Sequence, residues 1–352
     1  MIVAVLVACT NQNVPAPSPS PTSPAHSQAA DLRTRLGLLL GEQVMIIAKE
    51  SEAAVNHSDE YTAYTSLLAA NSADLTSLIA RAFGNTASIQ FAQAWNAQNG
   101  YLVDYAIGVV THNDDKANAA MSGLTTTFVP WFSMLLNSVG KLSTESVAPL
   151  ETQQAQEDKA FIDDVFRGSF GAYYSDLHRA YAHTSLLAEI LSAQIAVDFP
   201  DKYPGDPSGD AASSRAKVNL ALQEHSYLVT MATDATVSHR DSDRSAALGA
   251  LTTNNDGIQA LVGDNRLPLV WSQEAASLLI YATNGDVAAR KTSSAAVTAQ
   301  LAALTRAAPT QITNHESAAT RVIDDQRSKS ATVADDDRAA ATSMQPIADS
   351  VE

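Results

Sequence analysis

Two carboxylates stand where the helical pattern is otherwise apolar, and their placement is the first hint of chemistry in this chain. Glu42 has Leu38, Leu39, Met45 and Ile46 at its helical neighbour positions, and Glu224 has Leu220, Tyr227 and Leu228. A buried carboxylate is costly unless it is paired, hydrogen-bonded or bound to a metal. Each is therefore either an inward-facing ligand of a bundle or an edge residue that reaches solvent or an Arg on the next helix. His57 and His239 follow Glu42 and Glu224 at one common interval, fifteen residues. At about 1.5 Å of rise per residue that is about 22 Å along a helix, too far to share an ion. The two histidines read instead as exposed helix caps, where the dipole favours a protonated imidazole. His178 and His183 are five apart and fall on different faces, so they make no two-histidine clip. The runs Asp163-Asp164 and Asp335-Asp336-Asp337 read as solvated surface.

Most catalytic signatures are missing from the sequence: there is no Gly-x-Gly-x-x-Gly, Walker loop, Gly-x-Ser-x-Gly, His-Glu-x-x-His or EF-hand loop. The formal charge is −16, from 22 basic and 38 acidic residues. Nucleic acid is thereby disfavoured as a partner, because phosphate binding requires a basic face.

The single cysteine, Cys9, excludes an internal disulfide, and its position says more than its number. Leu6-Val7-Ala8-Cys9 ends a short apolar run and matches the lipobox of bacterial lipoprotein signals, in which the cysteine thiol is acylated before cleavage. A lipoprotein signal ordinarily opens with Lys or Arg; none precedes Ile2, which predicts a translation start upstream of Met1. Ile2 to Ala8 is too short for a bilayer span of about 20 residues, so acyl chains on Cys9 are the expected membrane attachment. Prolines at 15, 17, 19, 21 and 24 then favour an extended stalk rising about 3.1 Å per residue. The expected place is extracytoplasmic, lipid-anchored to the bacterial cell membrane.

The elements that must position these residues are helices. Leu32, Leu36, Leu39, Leu40, Gln43 and Ile47 recur at three- and four-residue spacing, with Asp31 as a cap. This predicts a helix over about 31–56, with others over about 60–84, 87–111, 116–138 (kinked at Pro130), from 144, and 170–199. Pro200 to Gly209 holds three prolines and two glycines and cannot continue a helix. Beyond it, helices are expected over about 212–238, 242–263, 267–283, 287–307, 311–328 and 332–350. No period-two alternation is long enough for a sheet. The fold class is all-α.

The two series match one another. Glu42 and His57 pair with Glu224 and His239, Asn71 with Asn254, Trp95 with Trp271, Tyr105 with Tyr281, and Ile162-Asp163-Asp164 with Ile323-Asp324-Asp325. We read a tandem duplication of one helical bundle, about six helices per half. The expected divisions are 1–8 signal remnant, 9–30 lipidated cysteine and linker, 31–199 first bundle, 200–210 linker and 211–352 second bundle.

Val103-Asp104-Tyr105 and Ala180-Tyr181-Ala182-His183 in the first half, with His225 and His315 in the second, resemble patterns of exported bacterial proteins built from two similar helical halves. Some of these carry a copper-amine-oxidase-like label from attached N-terminal domains. Three histidines of the pattern have become Gln43, Gln98 and Gln154 here; Glu274 follows Trp271 in place of another, and Met344 replaces the last. The resemblance implies that Glu224, His225, Glu274 and His315 converge from three helices in the second half. Such a set would hold one transition-metal ion (iron, manganese, zinc or copper), with the first half a degenerate copy. Against convergence, Glu224 and His225 are adjacent and point about 100° apart on a helix. The alternative is a ring of buried polar groups that hydrogen-bond one another. The leading expectation is a binding or scaffold protein of the envelope, with an envelope protein or a metal ion as partner.

Overall fold

The computed structural model describes residues 23–351; the lipobox, Cys9 and most of the Pro/Ser tract lie outside them. The first long helix, α1 (Gln28–Val55), begins three residues before the expected Asp31. Its cap is Ser27, whose Oγ accepts from the Ala30 N–H at 3.2 Å. Asp31 sits in the first turn, where its charge still complements the helix dipole. From Leu32 to Ala53, α1 is buried on most of its faces. It packs on α2 (Tyr61–Phe83), α7 (Phe170–Asp198) and α8 (Asp210–Val237).

A helix enclosed on all sides needs apolar or self-satisfied residues all round. Met45, Ile46, Ile47 and Ala48 provide this in α1. In α8, Thr233 and Thr236 return their hydroxyls to the carbonyls of Thr230 and Ala232, so they are buried without an orphaned donor.

The first half is completed by α3 (Asn85–Val110), α4 (Asp114–Gly123), α5 (Val129–Gly140) and α6 (Thr144–Arg167). The second adds α9 (Asp241–Val262), α10 (Arg266–Asn284), α11 (Val287–Leu304), α12 (Pro309–Ser328), α13 (Val333–Thr342) and α14 (Gln345–Ala348). No strand occurs among the described residues, so the all-α class holds. The expected kink at Pro130 takes the form of a π turn, Leu124–Phe128, that joins α4 to α5. Proline has no N–H to give the preceding turn, and the wider turn absorbs the break in the ladder.

The halves are fused. One buried cluster runs from Leu32 in α1 through α7, α8 and α9 to Ala341 in α13. A smaller one, around Leu222, Trp271, Leu301, Ile312 and Ile347, belongs to the second half. Across the seam, α1 lies on α8, α7 on α9, and α13 on α2.

Several contacts occur in both halves at the positions matched in sequence. Asn71 Nδ2 donates to Leu39 O (2.9 Å) and Glu42 Oε2 (2.7 Å); Asn254 Nδ2 donates to Ala221 O and Glu224 Oε2, both at 3.0 Å. Tyr105 donates to Asp163 at 2.5 Å and Tyr281 to Asp324 at 2.6 Å. His57 and His239 are exposed and left-handed, at φ 52° and 56°. In each, the histidine N–H bonds back to the residue three before it and the next N–H to the residue five before that one, which closes the preceding helix as a Schellman cap.

Both acidic runs depart from the expected solvated surface, one at the seam and one in α6. Asp337, read as solvated, is fully buried, and Lys49 Nζ meets its Oδ2 at 2.5 Å. The same carboxylate accepts from Tyr64 (3.0 Å) and Thr230 (2.7 Å), which ties α1, α2, α8 and α13 together. Asp163 and Asp164 are also largely covered, their side chains 13% and 14% exposed. In both runs only part of the acidic stretch faces water, because successive helical residues turn by about 100°.

Candidate functional site

The four residues proposed as ligands do not all meet. Glu224 leaves the set: its Oε1 accepts from His178 Nδ1 at 2.7 Å and its Oε2 from Asn254. It thus joins α8 to α7 and α9 across the seam, while its neighbour His225 points into the second half. The hundred-degree step between adjacent helical residues separates them. Glu42 does the matching work from α1. Arg338 on α13 grips it through Nε (3.1 Å) and Nη2 (3.0 Å) and also reaches Asp74. Of the two readings of these carboxylates, pairing across helices is the one the geometry carries for Glu42. For Glu224 the partner is a histidine.

His225 from α8, Glu274 from α10 and His315 from α12 do come together beside Trp271. Each is at most 1% exposed. His315 Nε2 lies 2.8 Å from Glu274 Oε1, and its Nδ1 faces Ala340 O (3.1 Å) and Ser343 Oγ (3.0 Å). The Ser343 hydroxyl itself donates to Ala340 O, so Nδ1 must be a donor, and Nε2 faces a carboxylate. Both ring nitrogens therefore carry protons, and His315 is an imidazolium.

The electrostatics agree. Burial works against the charge on both partners, yet the Glu274 carboxylate holds His315 above its ordinary value, and His315 holds Glu274 below its own. His225 differs: burial lowers it to about 4, and it is neutral at pH 7. Its Nε2 stands 3.9 Å from Glu274 Oε2, beyond hydrogen-bond reach. Both nitrogens of His225, Glu274 Oε2 and Trp271 Nε1 have no hydrogen-bond partner. Alongside, Arg290 Nη2 pairs with Glu316 Oε2 at 2.6 Å, fully inside.

This is a buried charge pair flanked by an unpaired neutral base. Glu274 already spends Oε1 on His315, and among the described residues no group of three or more His, Cys, Asp or Glu side chains is arranged to hold a metal ion. With every member covered, the group offers no surface to a substrate. In the first half Gln43, Gln98 and Gln154 line a small cavity beside Trp95. His178, Arg338, Lys49 and Asp337 were not singled out as partners from sequence. The usable signal was Lys49, a cation directly after the apolar run Met45 to Ala48 that needs a buried counter-charge.

Set against models of known families, curated proteins and solved structures, the chain matches none.

Proposed function

We propose that this protein is a lipid-anchored extracytoplasmic module of the bacterial envelope that works by binding or scaffolding. The observation that carries this is the order of parts: a lipobox ending at the only cysteine, a proline-rich tract, then one fused helical body. The point where the tract meets the body supports it. Arg215 at the start of α8 donates to Ala25 O at 3.0 Å and pairs with Asp31, and Ala29 N–H donates to Pro204 O at 3.3 Å.

We read the repeated bonds of Asn71 and Asn254, Tyr105 and Tyr281, and the caps at His57 and His239 as traces of duplication of one bundle. In this reading the copies traded independence for a common core, and the carboxylates at 42 and 224 became pins between them. Replacing Cys9 with Ser is expected to move the protein from the membrane fraction to the medium, or to leave it unprocessed. An unchanged membrane fraction would overturn the anchor.

A second reading, a transition metal bound by His225, Glu274 and His315, is favoured by one observation. The unpaired His225 imidazole and Glu274 Oε2 face each other with no partner, and His315 Nδ1 is anchored on a backbone carbonyl as metal-bound histidines are. Binding would need His315 to give up its Nε2 proton. Metal analysis after dialysis decides: this reading expects about one equivalent, lost in a His225→Ala, His315→Ala variant. Metal-free protein would dismiss it.

A further inference from the structure

We propose that the cleft where the two halves meet along α1 binds a short peptide with both termini free. The cleft has a volume of about 630 Å³, which is within the range of small-ligand sites, and it lies between two packed halves, where such sites concentrate. Arg35, Leu38, Leu39 and Glu42 line it from α1, Asp74 from α2, and Gln223 and Arg338 from the second half.

Three guanidinium groups and three carboxylates face the cleft, and one of the guanidinium groups is unspent. Arg338 holds Glu42 at 3.0 Å and Asp74 at 2.5 Å, and Arg215 holds Asp31 and, at 2.7 Å, Asp349. Arg35 is exposed to the cleft and makes neither a hydrogen bond nor an ion pair among the described residues. Residues 1–22 contain no Asp or Glu that could supply one. Its fork of N–H groups is therefore free to take a carboxylate at two points. Opposite charge is available as well. Asp74 gives only Oδ2 to Arg338, and its side chain is 46% exposed. A purely anionic ligand would meet the three carboxylates, and a purely cationic one the three guanidinium groups. Equal numbers select a ligand that carries one charge of each sign.

The spacing gives its length. Arg35 precedes Glu42 by seven residues, about 10 Å along α1, and Arg338 brings Asp74 to Glu42. An extended chain covers that distance in about three residues, so a peptide with its carboxylate on Arg35 sets its ammonium at Asp74. Gln223, only 4% exposed, supplies a donor in the same cleft. Tyr181 donates to its Oε1 at 2.8 Å, which fixes the amide and leaves Nε2 without an acceptor, ready for a peptide carbonyl. Leu38 and Leu39, both half-buried, offer apolar contact to a side chain. This gives a ligand class to the binding role proposed above and rests on that reading. The anchor is read from the membrane fraction and this site by titration, so the failure of one is distinguishable from the failure of the other.

The test is calorimetric titration of the full chain with the tripeptide Leu-Ala-Leu, its C-terminal amide and its N-acetyl form. The expected result is saturable binding of the free peptide, with each blocked form at least about tenfold weaker, since each lacks one charge-assisted contact. Arg35→Gln should lose the same factor and bind acid and amide alike. It should melt as the parent does, because Arg35 bonds to nothing in the protein. Arg266→Gln, which removes a cation outside the cleft, should keep the parent's affinity. No binding of the free peptide, equal binding of peptide and amide, or full affinity in Arg35→Gln would each overturn the proposal. Undiminished binding of the N-acetyl form would assign the cleft to simple carboxylates and overturn the two-charge ligand.

Discussion

Asp337→Ala is expected to destabilise the protein by about 3–5 kcal/mol, because it leaves a buried lysine without its counter-charge. Lys49 is 5% exposed and Asp337 fully buried, and the Lys49 ammonium reaches Asp337, Tyr64 (3.2 Å) and Thr230 (2.9 Å). Lys49→Met should cost a similar amount for the mirror-image reason. The double variant Lys49→Met, Asp337→Leu should recover much of the loss, since a buried pair replaced by apolar groups of like volume is often near neutral. Denaturant melts of the three variants measure this, and the double-variant cycle isolates the coupling. If the single variants melted like the parent, the seam would not be held as described.

Arg240→Met carries the second large effect, also about 3–5 kcal/mol, and it depends on pH. Arg240 is the one cation among Glu52, Asp234 and Asp243, pairing with Glu52, with Asp234 at 2.7 Å and with Asp243 at 3.1 Å. Tyr174 adds a hydroxyl to Asp243 at 2.8 Å. Burial, then the charge of Asp243, raises Glu52 well above the ordinary carboxylate range, and burial with Asp234 raises Glu60 nearby to about 7.

For a carboxyl whose folded value lies above its unfolded one, the native state binds more protons, so stability falls as pH rises between the two values. Without Arg240 the upward shifts grow. The variant should therefore lie closest to the parent near pH 5 and fall progressively behind it towards pH 8. Melting temperatures across that range provide the check, and a constant gap would show that these carboxylates do not share the guanidinium's charge.

Much of the helical framework was legible because its signals are local. Pro and Gly clusters, caps and apolar periodicity placed the breaks at 56–60, 111–113, 141–143, 168–169 and 199–209 within a few residues. The His57 and His239 caps were readable for the same reason. What escaped was set by distant partners. Asp337 looked like surface because it sits in a run of three acids, and only Lys49, nearly the whole chain away, marks it as internal. Glu224 looked like a metal ligand because nothing in sequence joins it to His178. The convergence of His225, Glu274 and His315 was readable in outline, from the pattern that placed them on three facing helices. Their protonation was not, since it turns on Ser343 and the Ala340 carbonyl.

We propose that this fused body is held at the membrane by its single cysteine, Cys9. Mass analysis of the mature N-terminal peptide from membranes tests it most directly. The prediction is a chain that begins at Cys9 with acyl groups on that residue. A peptide that retains residues 1–8 with an unmodified thiol at Cys9 would contradict it.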